Sequence, residues 1–186
     1  MRKVIVFLMT SLDGYIAGPD GNIDWHVVDD EFNEFAVEQI NSVDTIMFGR
    51  ATYEGMASYW PTPFAIENDP VVAGMMNDMP KIVFSHTLSS ADWQNTRLIS
   101  GDAAQEINKL KQQPGKDLII FGSNKLAASF LDLGLIDEVR IIVAPVVLGE
   151  GIALFEGVKN KRSLKLLRSR TFSSGNILSI YQPVQP

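Results

Sequence analysis

The chain has 186 residues, 46% of them hydrophobic, which is enough to bury one substantial core, and a single domain over 1–186 is expected. Its 16 Lys and Arg stand against 22 Asp and Glu, a formal charge of -6, which argues against nucleic acid or an anionic membrane as the main partner. The absence of Cys removes disulfide and thiolate chemistry, and two His, His26 and His86, with no close carboxylate pairing make a poor ligand set, so no metal is expected.

Val4 to Met9 is apolar throughout, as a central strand covered on both faces would be, and is too short for the layout of a signal peptide. No apolar run reaches the roughly 18 residues of a spanning helix, and a cytoplasmic protein is expected. Thr10 to Asn22 is rich in turn formers and reads as a loop. Within it, Asp13 holds its own loop by an Asx-type turn or faces substrate. A helix is predicted from Asp29 or Asp30, with Phe32, Phe35, Ala36 and Ile40 inward and acids in its first turns, where the helix dipole favours them. Thr45 to Phe48 is the next strand, ending at Gly49-Arg50, with Thr52 predicted to cap the helix that follows.

Residues 61–80 are interrupted by Pro and yield only a short helix ending near Met76. Lys81 to Phe84 and Arg97 to Ser100 read as strands. Gly101-Asp102 opens a helix with Ala103, Ile107 and Leu110 inward, closed by Pro114-Gly115. Leu118 to Phe121 is a buried strand that turns at Gly122-Ser123 into a helix capped by Ser123 or Asn124 and ended by Gly134. Asp137-Glu138 fixes a loop ahead of the apolar run Val139 to Leu148, where Pro145 requires a bend or an edge. Leu164 to Phe172 and Asn176 to Tyr181 form a terminal hairpin. This order predicts a three-layer α/β/α fold with a mostly parallel mixed sheet and an antiparallel C-terminal hairpin.

Three apolar strands finish on a small residue followed by a polar one: Phe48-Gly49-Arg50, Phe84-Ser85-His86 and Phe121-Gly122-Ser123. If those strands are parallel neighbours, their ends line one crevice. Glycine there lets a ligand approach the backbone, Arg50 can grip a phosphate bidentately, and Ser85 and Thr52 can donate to it. Ordinary turn chemistry explains any one of them equally well. Asp30 at a helix start can relay a proton or simply compensate the dipole, and Trp25 can stack on a flat ligand or pack in the core.

Together these stretches resemble the dihydrofolate reductase superfamily, and within it the branch of the C-terminal reductase domain of the bifunctional riboflavin-biosynthesis deaminase/reductase. The matches are collinear: MTSLDGYIAGPDGNIDW at 9–25, TIMFGRATYEGM at 45–56, KIVFSHTL at 81–88, LIIFGSNKLAASFLDLGLIDEVRIIVAPVVLGEGIALF at 118–155, and the terminal strand pair. Ser123 stands where the folate enzymes have the second Gly of a Gly-Gly turn, and their Pro between the Trp and the acid is absent. No stretch carries the zinc-binding His and Cys signature of the deaminase. The resemblance implies NADPH bound across the carboxyl edge of the sheet. Gly49, Arg50 and Thr52 would lie near its 2′-phosphate with Ser85 assisting, Gly122, Ser123, Asn124, Lys125 and Leu126 over the pyrophosphate, and Ile16 and Ala17 near the nicotinamide. Trp25 and Asp30 become the catalytic pair, one against a flat heterocyclic substrate and the other supplying a proton. A homodimer is implied as well. The favoured activity is reduction of 5-amino-6-(5-phosphoribosylamino)uracil, with dihydrofolate reduction and an NADPH-binding sensor or scaffold as alternatives. A phosphorylated substrate would need a further cation, for which Lys81 and Lys125 are candidates.

Overall fold

The structure, a computed structural model, describes residues 1–184. In chain order the elements are β1 (Val4–Thr10), β2 (Tyr15–Ala17), α1 (Asp30–Asn41), β3 (Val43–Gly49), α2 (Arg50–Tyr59), α3 (Pro63–Asn68), α4 (Pro70–Asp78), β4 (Lys81–Phe84), β5 (Thr96–Ile99), α5 (Ala103–Gln112), β6 (Asp117–Phe121), α6 (Asn124–Asp132), β7 (Glu138–Val143), β8 (Ile152–Ala153), β9 (Leu164–Thr171) and β10 (Ile177–Pro183). One eight-stranded sheet has the order β5-β4-β3-β6-β1-β7-β10-β9, parallel from β5 to β7, with β10 antiparallel to both its neighbours.

The sequence pattern explains the layers. Val4, Val6 and Leu8 of β1 point to the face covered by α5 and α6, where Ile107, Leu110, Phe130 and Leu131 close the core. Ile5 points the other way, with Ile46, Phe48 and Ile119, against Tyr53 of α2 and Met76 of α4, while Phe35 of α1 packs with Met9, Ile142, Leu178 and Ile180. Alternate residues of a strand face opposite sides, so an unbroken apolar run is what a doubly covered strand requires.

Two segments differ from the sequence reading. The 10–22 loop contains β2, which pairs with β8 in a separate two-stranded ribbon. Residues 61–80 form two helices rather than one, α3 and α4, each with Pro at its start and a side-chain cap, from Thr62 and Asp69. Pro at a first helical position fixes the backbone without losing a needed donor, so Pro63 and Pro70 start helices rather than break one.

The amino ends of the central strands are tied by charge. Buried Arg2 binds Asp44, Thr45 and the Lys116 carbonyl. Asp137 accepts from the Val4 amide and pairs with Lys111 at 2.6 Å, and Glu138 pairs with Arg140 at 2.7 Å. Asp137 and Glu138 therefore join β7 to its surroundings.

Candidate active site

The three strand ends picked out by their small residues do meet. β4, β3 and β6 are consecutive parallel strands, with Gly49 in register with Phe84 and Met47 with Ile120, so Gly49, Ser85 and Gly122 lie along one edge. The turn after β6 has two successive left-handed residues, Gly122 at φ 60° and Ser123 at φ 52°. A Cβ on Gly122 would come within 3.2 Å of Thr52 Cγ2, so this turn needs glycine for both its dihedral and its close approach to α2.

The hydroxyls around this turn are used internally. Ser123 Oγ accepts from the Gly49 amide at 2.9 Å, and the Ser123 amide donates to Thr52 Oγ1 at 3.0 Å. Thr52 therefore does not cap α2, as the sequence suggested; Gly49 is the N-cap residue, and the Thr52 hydroxyl lies within the helix, turned to the neighbouring turn. Ser123 occupies the N-cap position of α6 without capping it, and Asn124 accepts from the Lys125 amide and donates to the Ala153 carbonyl. Ser85 Oγ accepts from the Thr87 and Leu88 amides.

Helix termini divide accordingly. α1, α3, α4 and α5 are capped by Asp29, Thr62, Asp69 and Asp102. α2 and α6, which spring directly from β3 and β6, have no N-cap side-chain bond. Amides at such a terminus and the positive end of the helix dipole together favour an anion. Arg50 begins α2 with its side chain 55% exposed, paired among the described residues with Glu54 at 4.0 Å. Lys125 is exposed on the first turn of α6, and Leu126 beside it is half-buried. The donor set fits a bulky anionic cofactor: main-chain amides at two adjacent helix starts and one extended guanidinium.

Beside this edge the sheet is incompletely covered. Phe7 is the only partly exposed residue of β1, and it pairs in register with Phe121, the half-exposed last residue of β6. Their rings meet edge-on at 5.9 Å, and Phe35 of α1 lies 5.9 Å from Phe7. Central parallel strands are normally buried on both faces, so a partly exposed aromatic pair marks where the helix cover of the sheet is thinnest. Sequence reasoning missed this pair, since nothing along the chain distinguishes it from core phenylalanines.

The loops beyond β1 are locked to one another. Asp13 accepts from the Leu148 and Gly149 amides, so it ties the 144–151 loop to its own. Hydrogen bonding from Ser11, then from those two amides, keeps its carboxyl below the ordinary range. Ile16 is half-buried and Ala17 buried in the β2–β8 ribbon, which closes on Gly151 at φ 154°; a Cβ there would sit 2.2 Å from the Ala17 carbonyl oxygen.

Trp25 lies half-buried in a shallow groove of about 450 Å³, with Asp20, Asp24 and Leu148 on its walls, and meets His26 edge-on at 4.3 Å. Trp25 Nε1 and His26 Nε2 are both buried and have no hydrogen-bond partner among the described residues, and burial lowers the His26 pKa. Asp30 is the first residue of α1 and exposed. The cap is Asp29, which also receives Ser174 from the β9–β10 turn, while Glu31 receives Ser173. At 100° per residue, Asp30 and Asn33 share the flank of α1 turned away from Glu31. Lys81, a candidate for a substrate phosphate, is buried, and its ammonium donates to the Met76, Asn77 and Met79 carbonyls, ending α4. It cannot reach a ligand.

Comparison with known proteins agrees with this geometry. The family model for the RibD C-terminal domain matches residues 2–178. The chain is 37% identical over 182 residues to the uncharacterized protein YyaP of Bacillus subtilis (strain 168), covering 97% of this chain and 94% of YyaP. A solved structure from Shewanella sp. PV-4, named for riboflavin biosynthesis, superposes with a TM-score of 0.76 at 26% identity, covering 99% of this chain and 100% of that one. Dihydrofolate reductase from Enterococcus faecalis, complexed with NADP(H), superposes with a TM-score of 0.65 at 15% identity, covering 98% and 97%, a likeness of fold.

Proposed function

Because the chain belongs to the RibD C-terminal domain family, we propose that it is an NADPH-dependent reductase acting on a pteridine or aminopyrimidine compound. The observation that carries this reading is the pair of helix starts without side-chain caps, α2 and α6, on adjacent parallel strands beside the partly exposed Phe7–Phe121 pair. The NADP(H) complex of the enterococcal neighbour, which shares this fold, supports it.

Arg50 would hold the 2′-phosphate, and a guanidinium in that place favours NADPH because NADH offers it no second anion. The Gly49 backbone is held open by Ser123, and Thr52 keeps the Ser123 turn against α2. At the first turn of α6 the Asn124 and Leu126 amides would face the pyrophosphate, the Lys125 amide being taken by Asn124 Oδ1, with the Lys125 ammonium adding charge at the rim. Ile16 and Ala17 would exclude water beside the nicotinamide, and Trp25 would stack on the substrate ring. A nicotinamide held there would supply hydride, two electrons, to the carbon of a substrate C=N bond, and the bond's nitrogen would need a proton. Asp30, exposed at the start of α1, would deliver that proton directly or through water.

The relatives suggest 5-amino-6-(5-phosphoribosylamino)uracil as one compound to test, and the fold suggests dihydrofolate as another. The decisive experiment uses NADPH deuterated on the nicotinamide, with product examined by mass spectrometry. Reduced product one mass unit heavier than that formed with ordinary NADPH is expected. NADPH binding without transfer to any compound of this class would instead identify a cofactor sensor.

A further inference from the structure

The layer of the molecule beside the Phe7–Phe121 pair is nearly free of cations. From Val4 to Pro80 the chain carries thirteen Asp and Glu and a single Lys or Arg, Arg50, which opens α2 on the cofactor side. Asp13, Asp20 and Asp24 lie in the loop after β1, and Asp30 and Glu34 on α1. The facing 144–158 segment adds Glu150 and Glu156, again with no Lys or Arg.

The other cations are committed or remote. Lys81 is enclosed by three carbonyls. Arg140 is held between Glu138 and Gln39, and Arg170 pairs with Glu31 and lies over the Phe172 ring. Lys125 belongs to α6, in the layer on the opposite face of the sheet. His26, the one ring in the loop that could become cationic, is packed against Trp25 with its Nε2 buried. The groove around Trp25 thus presents an indole face and carboxylates, and none of its described lining residues is a Lys, Arg or His that could neutralise an anion.

On the reductase reading above, we infer that this site takes a neutral or cationic pteridine or aminopyrimidine and discriminates against one bearing a phosphate or a carboxylate tail. A substrate phosphate here would face only like charge and gain no charge-assisted hydrogen bond, whereas a neutral ring loses nothing. Both compounds suggested by likeness carry such a tail, so the physiological substrate is a different member of the class, one without it.

Matched pairs that differ only in the tail test this: 7,8-dihydroneopterin with its monophosphate, and 5-amino-6-ribosylaminouracil with its 5-phosphate. Affinity is measured by calorimetry on NADPH-saturated protein at low and high salt, with NADPH binding followed separately by nicotinamide fluorescence. The unphosphorylated member is expected to bind at least about tenfold more tightly at low salt. High salt should narrow that gap by screening, and Asp24→Lys should narrow it by strengthening the phosphorylated member alone. Equal or tighter binding of the phosphorylated members, or no binding of either, would overturn the inference. Failure of NADPH itself to bind is read in the separate channel and would overturn the reductase reading instead.

Discussion

At the amino ends of β1, β6 and β7 the charged side chains meet partners at once: Arg2 with Asp44, Lys111 with Asp137, Arg140 with Glu138. At the carboxyl ends of β3 and β6 the helices start without side-chain caps, Arg50 extends into solvent, and Phe7 and Phe121 are half uncovered. Both edges belong to the same parallel sheet, so propensity and hydrophobic pattern do not separate them. What separates them is whether polar groups are satisfied within the chain. The amino edge is finished by folding, while the carboxyl edge has donors to spare and is the edge where the proposed cofactor would bind.

Substitutions should report that division. The largest effect is expected from Asp44→Ala, which leaves the buried Arg2 guanidinium without its carboxylate and should cost roughly 3 kcal/mol of stability in urea unfolding. NADPH affinity at the far edge should not change in the same protein. A loss of both together would break the contrast between the edges.

Gly151→Ala should cost less in stability, about 1–3 kcal/mol of backbone strain, because it forces an alanine to φ 154° against the Ala17 carbonyl. It should act on the site more than on the fold, reducing reductase turnover by disturbing the β2–β8 ribbon. Wild-type turnover in a measurably destabilised variant would remove the ribbon from the account.

The smallest effect concerns the contact between α1 and the β9–β10 turn. The Phe32 amide, then Ser174 and Ser173, lower the Asp29 pKa, and the Ser173 amide chiefly lowers that of Glu31. Because both folded pKa values lie below the ordinary ones, the stability these groups contribute is present at neutral pH. It is lost only as pH falls through the lowered values. Asp29→Asn, which keeps a capping side chain, should therefore leave neutral stability little changed and flatten the acid limb of a stability-versus-pH curve. An unchanged acid limb would contradict the assignment.

How much of this was legible in the chain depends on the length of the interaction. Apolar runs ending at Gly49, Ser85 and Gly122 announced strands, and their small terminal residues announced a shared edge, because strand period and turn chemistry are local. The β2–β8 ribbon was not legible, since strands of three and two residues leave no alternation to read. Thr52 looked like a cap because capping is judged from near neighbours, whereas its partner is the Ser123 amide, 71 positions away. Lys81 looked free for the same reason; its burial follows from where α4 ends over β4. The half-exposure of Phe7 and Phe121 depends on how the helices cover the sheet, which only the packed structure contains.

The central claim is that the carboxyl edge holds NADPH and that Arg50 reads its 2′-phosphate. Titrating wild type and Arg50→Ala with NADPH and with NADH, followed by nicotinamide fluorescence, tests it most directly. Wild type is expected to prefer NADPH and the variant to lose roughly tenfold or more for NADPH alone, the effect of one charge-assisted contact. Equal binding of the two cofactors by wild type, or equal weakening of both in the variant, would contradict it.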